Sequence, residues 1–326
     1  MESLPYVYEA TAAERDLLLW MDHHSGAVDE MLLAHGAILF RGFSVTELHV
    51  FERLLSRFFR EVIGNYGDLP PEKGARSVYS STPYPASESI LFHNESAHMH
   101  TWPQRQAFGC MLAASSGGET PLVDCRRIYQ ALPPGARDKF IEKGLLYVRH
   151  FVPGLDVSWQ EFFKTPSRDE VARMCRARAA DCEWKTGGVL RVAQCAPAVI
   201  EHPRSGERSF FNQIMLHHPF YLCEEEREAL EGLCGDNLPR QVFYGDGTPI
   251  EEDVLACLPG IYARESRAFP WQRGDVLLLD NMLVAHSRRP FTGARRIVVG
   301  LGDPYPNTVS SARAIRCEDR HAAVQS

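Results

Sequence analysis

The strongest constraint on this chain is a pair of histidines 193 positions apart, His93 and His286, the first followed two residues later by Glu95. If the three serve one site, only a fold that returns the chain across most of its length can join them. On an extended strand, residues i and i+2 point to one face, so His93 and Glu95 are expected to project together with Asn94 turned away. Two His and one carboxylate can occupy one face of an octahedral Fe(II) and leave three positions open. The apolar residues 277–279 are expected to form the strand leading to His286, with the histidine at or just past its end. Arg295 and Arg296 follow, and a guanidinium can hold the distal carboxylate of a 2-oxo acid through two parallel hydrogen bonds. Other assignments compete. The chain has 13 histidines, and an H-x-E triplet arises by chance. A zinc set can be drawn from His93, His98 and His100, and His217–His218 is a further cluster. Against zinc, there is no helical HExxH pattern and no cysteine cluster.

Composition removes several classes. With a net charge of -7 and a pI near 6.0, the chain has no excess of Lys and Arg to neutralise phosphates, so no nucleic-acid partner is expected. No apolar run approaches the roughly 20 residues of a membrane helix, so no membrane partner is expected. The N-terminus lacks a basic region followed by an apolar core, which argues against an export signal. Nine cysteines without a CxxC pair are expected to be reduced thiols of a cytoplasmic protein.

Residues 35–43 read as a buried strand closed by a glycine turn. A helix is expected from Thr46 on, with Leu48, Phe51, Leu54, Leu55 and Phe58 on its apolar face. Residues 66–89, rich in Pro, Gly and Ser, read as a long loop leading into His93. A strand at 108–114 is broken by Gly117–Gly118 and resumes at 121–124, where Asp124 is placed to cap the next helix. Segments 135–190 and 220–260 read as mainly helical insertions suited to a lid, with a strand-like piece at 145–148. The run Glu224–Glu228 reads as a solvated helix face. Residues 276–279 and 297–301 are strand-like, and 310–326 form a polar tail. With no repeat and no linker, residues 1–326 are expected to form a single α+β, β-rich domain: a double-sheet jelly-roll core with flanking and inserted helices.

The segment FHNESAHMHTWP, residues 92–103, resembles the metal motif of the TauD/TfdA-like Fe(II)/2-oxoglutarate-dependent dioxygenases. It is most similar to the clavaminate-synthase-like and SyrP-like branch, whose carboxylate is Glu. GAILFRGF at 36–43, GGETPLVDC at 117–125, FFNQ at 210–213, YGDGTPI at 244–250 and FPWQRGDVLLLDNMLVAHSRRPFTGARR at 269–296 extend the likeness over about residues 30–303.

The resemblance implies a double-stranded β-helix core with Fe(II), 2-oxoglutarate and O2. His93, Glu95 and His286 would be the catalytic metal ligands. Thr120 would hydrogen-bond a 2-oxoglutarate carboxylate, and Arg295 or Arg296 would clamp the C5 carboxylate; neighbours on a strand face opposite ways, so only one can point inward. The presence of Glu95 disfavours halogenation, because halogenases of this superfamily give up the carboxylate to make room for halide. The branch implies hydroxylation of an amino acid or amino-acid-derived small molecule, free or tethered to a carrier protein, in antibiotic or other natural-product biosynthesis. Succinate and CO2 would be the co-products. Desaturation or cyclisation at the same site, a taurine- or aryloxyacetate-type catabolic oxygenase, and a non-catalytic metal-binding jelly-roll protein are the alternatives. Candidate substrate contacts are Asn94, Ser96, Asn212, Gln213 and Arg288; Arg288 and its neighbour Arg289 could meet a substrate carboxylate, with solvent exposure as the alternative for that pair. Residues 79–85 and Trp102 are candidates for the entrance, and Trp159 and Trp271 for packing.

Overall fold

The computed structural model describes residues 3–64, 69–81, 84–155 and 157–307. The tail at 310–326 and parts of the long loop, 65–68 and 82–83, lie outside the described residues. Helices and strands alternate along the whole described chain, which makes this a mixed α+β fold.

The largest sheet has six strands in the order Tyr6–Glu9, Ala37–Arg41, Val276–Asp280, Thr101–Leu112, Arg296–Pro306 and Tyr79–Ser80. Early and late parts of the sequence meet at its centre: Val276 pairs with Phe40 on one side and with Gly109 on the other. Period-two alternation sorts the apolar side chains between two faces. Ile38, Phe40, Leu278 and Val298 pack under the helices Leu17–His35 and Leu48–Phe58. Leu39, Phe108, Leu277, Leu279 and Val299 form the opposite face.

Local signals set both helices. The Asp16 side chain accepts from the Leu19 amide at the start of the first, and Gly36, at φ 75°, closes it by donating to Leu32 O. The second begins at Leu48 and buries Phe51, Leu54, Leu55 and Phe58, as their spacing predicts. It lies so close to the sheet that a Cβ on Gly300 would come 2.3 Å from Leu55 Cδ2.

A three-stranded sheet, in the order Ile90–His93, Val284–Arg288, Leu122–Asp124, packs through Leu122 and Val284 against that second face. Here one expectation is corrected. Residues 277–279 do not run on into His286. The Asp280 side chain and carbonyl accept from the amides of Met282 and Leu283, so the chain turns, and His286 sits in the middle of a separate strand in the second sheet.

The insertions are corrected as well. Segments 135–190 and 220–260 do carry the expected helices, among them Pro134–Lys143, Arg168–Ala177, Glu224–Cys234 and Glu252–Glu265, but the strands between those helices pair into a sheet that was not expected. They supply most of a four-stranded antiparallel sheet in the order Arg240–Tyr244, Leu145–Phe151, Leu190–Ala196, Ala180–Trp184. Asp181 and Glu183 are exposed on its edge strand, where period two holds. The run Glu224–Glu228 does lie on a helix, Glu224–Cys234, with no buried residue. No described helix is long and apolar enough to cross a membrane.

Candidate active site

His93 and His286 stand directly opposite each other on neighbouring antiparallel strands, with ring centroids 4.3 Å apart. Glu95 joins them: one ligand atom from each of the three residues lies within 4.8 Å of the others. Among the described residues no other group of three His, Cys, Asp or Glu converges in this way, so His98 and His100 do not build a zinc site with His93.

The expectation that Glu95 shares a strand face with His93 is corrected. The strand ends at His93, and Glu95 lies in the following turn, where Ser96 takes φ 55°. Its direction is set by Asn281. Asn281 Oδ1 accepts from the Glu95 amide at 2.7 Å, and Nδ2 donates to the carbonyls of Glu95 at 2.9 Å and Pro103 at 2.8 Å. Gln106 Nε2 donates to Glu95 Oε2 at 3.3 Å, which orients the carboxylate itself.

The chemistry of the donor set fits a divalent metal. His93 Nδ1 meets the Leu91 carbonyl at 2.8 Å; a carbonyl only accepts, so Nδ1 carries the proton and Nε2 keeps its lone pair. Burial pushes the His93 and His286 imidazoles below their ordinary range, so both stay neutral, the form a metal requires. Buried His286 Nδ1 has no hydrogen-bond partner among the described residues.

Beside the triad is a pocket of about 40 Å³ lined by Thr120, Arg288 and Arg295 together with apolar Phe108, Ile297 and Val299. Gly117 and Gly118 take φ 71° and 73°, and a Cβ on Gly118 would lie 3.0 Å from Cδ and Nε of Arg295. Arg295 Nε donates to Gly118 O at 3.1 Å. Burial, with the like charge of Arg288, pulls the Arg295 guanidinium down to about 10, so it is still charged at neutral pH and short of an anion. Arg296 faces the other way and pairs with Glu72 at 2.8 Å. Trp271 does more than pack: its indole N–H donates to Thr120 Oγ1 at 3.0 Å. With that lone pair engaged, the Thr120 O–H is free to donate into the pocket.

Several candidate substrate contacts are placed elsewhere. Asn94 is fully buried, donates to the carbonyls of Asn281 and Val284, and accepts from the Asn212 amide. Asn212 bonds Tyr262 OH and the Ile214 amide, and Ser96 is buried beneath the turn. These three lock the turn and line neither cavity. Arg288 points into the small pocket and donates to the carbonyls of Tyr84, Pro85 and Glu88, which ties down the loop. Trp102 is buried with Ala97 and Phe211, away from any entrance, and Trp159 packs on Trp184. Gln213 alone of the five lines the second, larger cavity. That cavity, of about 930 Å³, opens from His93 and Glu95 toward the four-stranded sheet, with Tyr79 and Tyr84 in its wall. Asn281, Gln106 and Trp271 were not legible as site residues, because only the fold brings them to Glu95 and Thr120.

Residues 3–301 match the family described as Taurine catabolism dioxygenase TauD, TfdA family. The chain belongs to that family: it is a dioxygenase, with Fe(II) as its metal and 2-oxoglutarate as its cosubstrate. It is 38% identical over 318 residues to the dapdiamide synthesis protein DdaC of Enterobacter agglomerans, covering 96% of each chain. It is 32% identical over 286 residues to a clavaminate synthase-like protein of Arabidopsis thaliana, covering 84% of this chain and 83% of that one. In fold it is similar to PvcB, described as an Fe, alpha-ketoglutarate dependent oxygenase from an isonitrile synthetic pathway, with a TM-score of 0.52 and 17% identity over 89% of this chain and 84% of that one.

Proposed function

We propose that this dioxygenase hydroxylates an unactivated C–H bond of an amino acid or amino-acid-derived small molecule, free or carrier-bound, in natural-product biosynthesis. The observation that carries the chemistry is the convergence of His93, Glu95 and His286 beside a pocket holding Thr120 and Arg295. The name of the relative DdaC, a dapdiamide synthesis protein, supports the biosynthetic setting. The two facing sheets support a jelly-roll core within one domain, and the inserted four-stranded sheet serves as the substrate wall. A cytoplasmic location agrees with the unpaired cysteines among the described residues.

In this reading His93, Glu95 and His286 hold Fe(II). Bound there, Fe(II) would supply the activation of O2, which oxidises the substrate C–H bond and 2-oxoglutarate by two electrons each, one oxygen atom going to the product and the other to succinate as CO2 leaves. Arg295 and Thr120 hold the distal carboxylate of 2-oxoglutarate by charge-assisted hydrogen bonds in a pocket that excludes water. Gln106 and Asn281 keep the Glu95 carboxylate aimed at the metal. Arg288 fixes residues 84–88 over the pocket and so shields it from solvent.

The test is an anaerobic visible spectrum of the metal-free protein during addition of Fe(II) and then 2-oxoglutarate. A weak charge-transfer band that needs both additions, and that His286→Ala loses, is the expected result. No band in wild type, with iron binding verified separately, would overturn the site assignment.

A further inference from the structure

One part of the large cavity's wall is tied to the metal centre by a hydrogen bond and still holds polar groups that neither the centre nor the fold uses. Gln213 Nε2 donates at 2.9 Å to the carbonyl of Asn94, the residue between His93 and Glu95. A carbonyl only accepts, so this bond fixes which end of the side-chain amide is nitrogen. Gln213 Oε1 is left without a hydrogen-bond partner among the described residues, and the residue, only 4% exposed, lines the cavity.

Tyr147 offers the opposite function. It projects from the strand Leu145–Phe151, is also 4% exposed, and lines the same cavity. Its hydroxyl accepts from the Gln213 amide at 2.9 Å, while its own hydrogen meets no acceptor among the described residues. Burial raises the phenol above its ordinary range, so that hydrogen stays in place as a donor. A buried donor or acceptor without a partner is costly, and here one of each kind stands on two residues joined by a hydrogen bond. His217 continues the pattern. Its ring lies 5.5 Å from that of Tyr147, it lines the cavity, and it makes no hydrogen bond through its ring among the described residues. Burial above all holds it well below its ordinary range, so it is a neutral imidazole. The three groups are thus neutral and present a donor and an acceptor together. An amide meets such a pair with two atoms, its carbonyl oxygen and its N–H.

We propose that Tyr147 and Gln213, with His217 beside them, bind an amide of the substrate next to the carbon oxidised at the His93, Glu95 and His286 centre. The Tyr147 O–H donates to the amide carbonyl, and Gln213 Oε1 accepts from the amide N–H. The proposal rests on the oxygenase reading above and names the substrate class of that site. The bond from Gln213 to Asn94 holds the amide site in register with the metal ligands, so the same contact selects which carbon faces the metal. Apolar carbon flanking the amide has Phe151, Phe162 and Val192 to pack on.

The test uses the full chain, anaerobic and loaded with Fe(II) and 2-oxoglutarate, and three probes with one phenylalkyl body: N-methyl-4-phenylbutanamide, methyl 4-phenylbutanoate and 4-phenylbutan-1-ol. Calorimetry reads their affinities. The ester keeps the carbonyl but lacks the N–H; it is also less hydrated, so a wall without these partners binds it better than the amide. The amide should bind about tenfold more tightly than the ester or the alcohol. Gln213→Met should abolish the preference for amide over ester, and Gln213→Glu, which keeps an acceptor oxygen, should retain it. Tyr147→Phe should weaken amide and ester alike, by about tenfold each. Each Gln213 variant is read as the ratio of the two affinities, which cancels any effect common to both probes, and the wild-type comparison decides where a variant fails to fold. Ester or alcohol binding as tightly as the amide overturns the proposal. So does binding of none of the probes, a Gln213→Met variant that keeps the preference, or unchanged affinities in Tyr147→Phe. The charge-transfer band separates the two levels: its absence in wild type strikes the oxygenase reading, whereas an intact band without amide preference strikes only the amide site.

Discussion

Asn281→Ala should damage stability and metal binding together, and the structure sets the scale. Asn281 is fully buried, and its side chain meets the Glu95 amide, the Glu95 carbonyl and the Pro103 carbonyl. Alanine leaves one donor and two acceptors without partners where water has little access. Each such group costs about 1–3 kcal/mol. Neighbouring losses are not additive, so about 3–5 kcal/mol is expected in total. Against a typical stability of about 5–15 kcal/mol, the variant should still fold. Freed from the clamp, the Glu95 turn should lose its aim, and affinity for Fe(II) in the presence of 2-oxoglutarate should fall about 10- to 100-fold. Urea denaturation reads the first effect, and the charge-transfer titration reads the second. Leu54→Ala is the control: it is fully buried on the far face of the large sheet and should cost about 2–5 kcal/mol without touching the site. If Asn281→Ala keeps wild-type metal affinity, or Leu54→Ala lowers it equally, Asn281 does not aim Glu95.

Three further outcomes can be checked with the same assays. Gly118→Ala should raise the 2-oxoglutarate requirement about tenfold, because the new Cβ meets Arg295 Cδ and Nε at 3.0 Å on top of about 1–2 kcal/mol of left-handed strain. Gly74→Ala, at φ 87° with open space around it, carries similar strain and should leave that requirement unchanged. Trp271→Phe removes the donor to Thr120, so stability should fall by about 1 kcal/mol and 2-oxoglutarate affinity a few-fold; unchanged affinity would show that the indole does not orient the hydroxyl. Stability to urea should fall as pH drops from about 6.5 towards 4. Burial pushes His218 down to about 4 from its ordinary 6.5, and its Nδ1 accepts from the Phe220 amide, so in this window the unfolded chain binds the proton that the folded one refuses. Buried His150 shifts in the same direction. His218→Gln should flatten the pH slope, and an unchanged slope would refute the assignment.

Features encoded within a few residues were legible in the sequence. Asp124 caps the helix Cys125–Ala131, the apolar face from Leu48 to Phe58 packs on the large sheet, and the apolar runs 276–279 and 297–301 mark strands inside it. The triad itself was legible because His93, Glu95 and His286 matched a chemistry, although their spacing alone gave no geometry. Features that depend on partners far along the chain were not. Whether Asn94 faces a substrate or a carbonyl depends on where residues 281 and 284 fall. Strand alternation let only one of Arg295 and Arg296 face inward, and which one depends on distant partners: Glu72 takes Arg296, while Arg295 donates to Gly118 O and lines the pocket. Of the inserted sheet only the piece at 145–148 was legible, because its pairing joins strands as far apart as Leu145–Phe151 and Arg240–Tyr244.

The two halves of the site differ in how tightly they are built into the fold. The Asn94 and Asn281 side chains bind backbone groups of the segments that carry Glu95 and His286, and the Asn212 amide donates to Asn94 Oδ1, so changes at Asn94 or Asn281 act on the triad directly. The substrate wall is formed by side chains on one face of a sheet whose strands pair among themselves. Replacing Val192 or Gln194 on that face changes the cavity surface but not the triad or its amide network, since the Gln194 side chain donates to the carbonyls of Ala179 and Cys195. Tyr147 is different. Its hydroxyl accepts from the Gln213 amide, and Gln213 Nε2 donates to the Asn94 carbonyl, one residue from each of His93 and Glu95. The wall can thus vary around Tyr147 while the triad's geometry stays fixed, and Tyr147 is where a change in the wall would reach the triad.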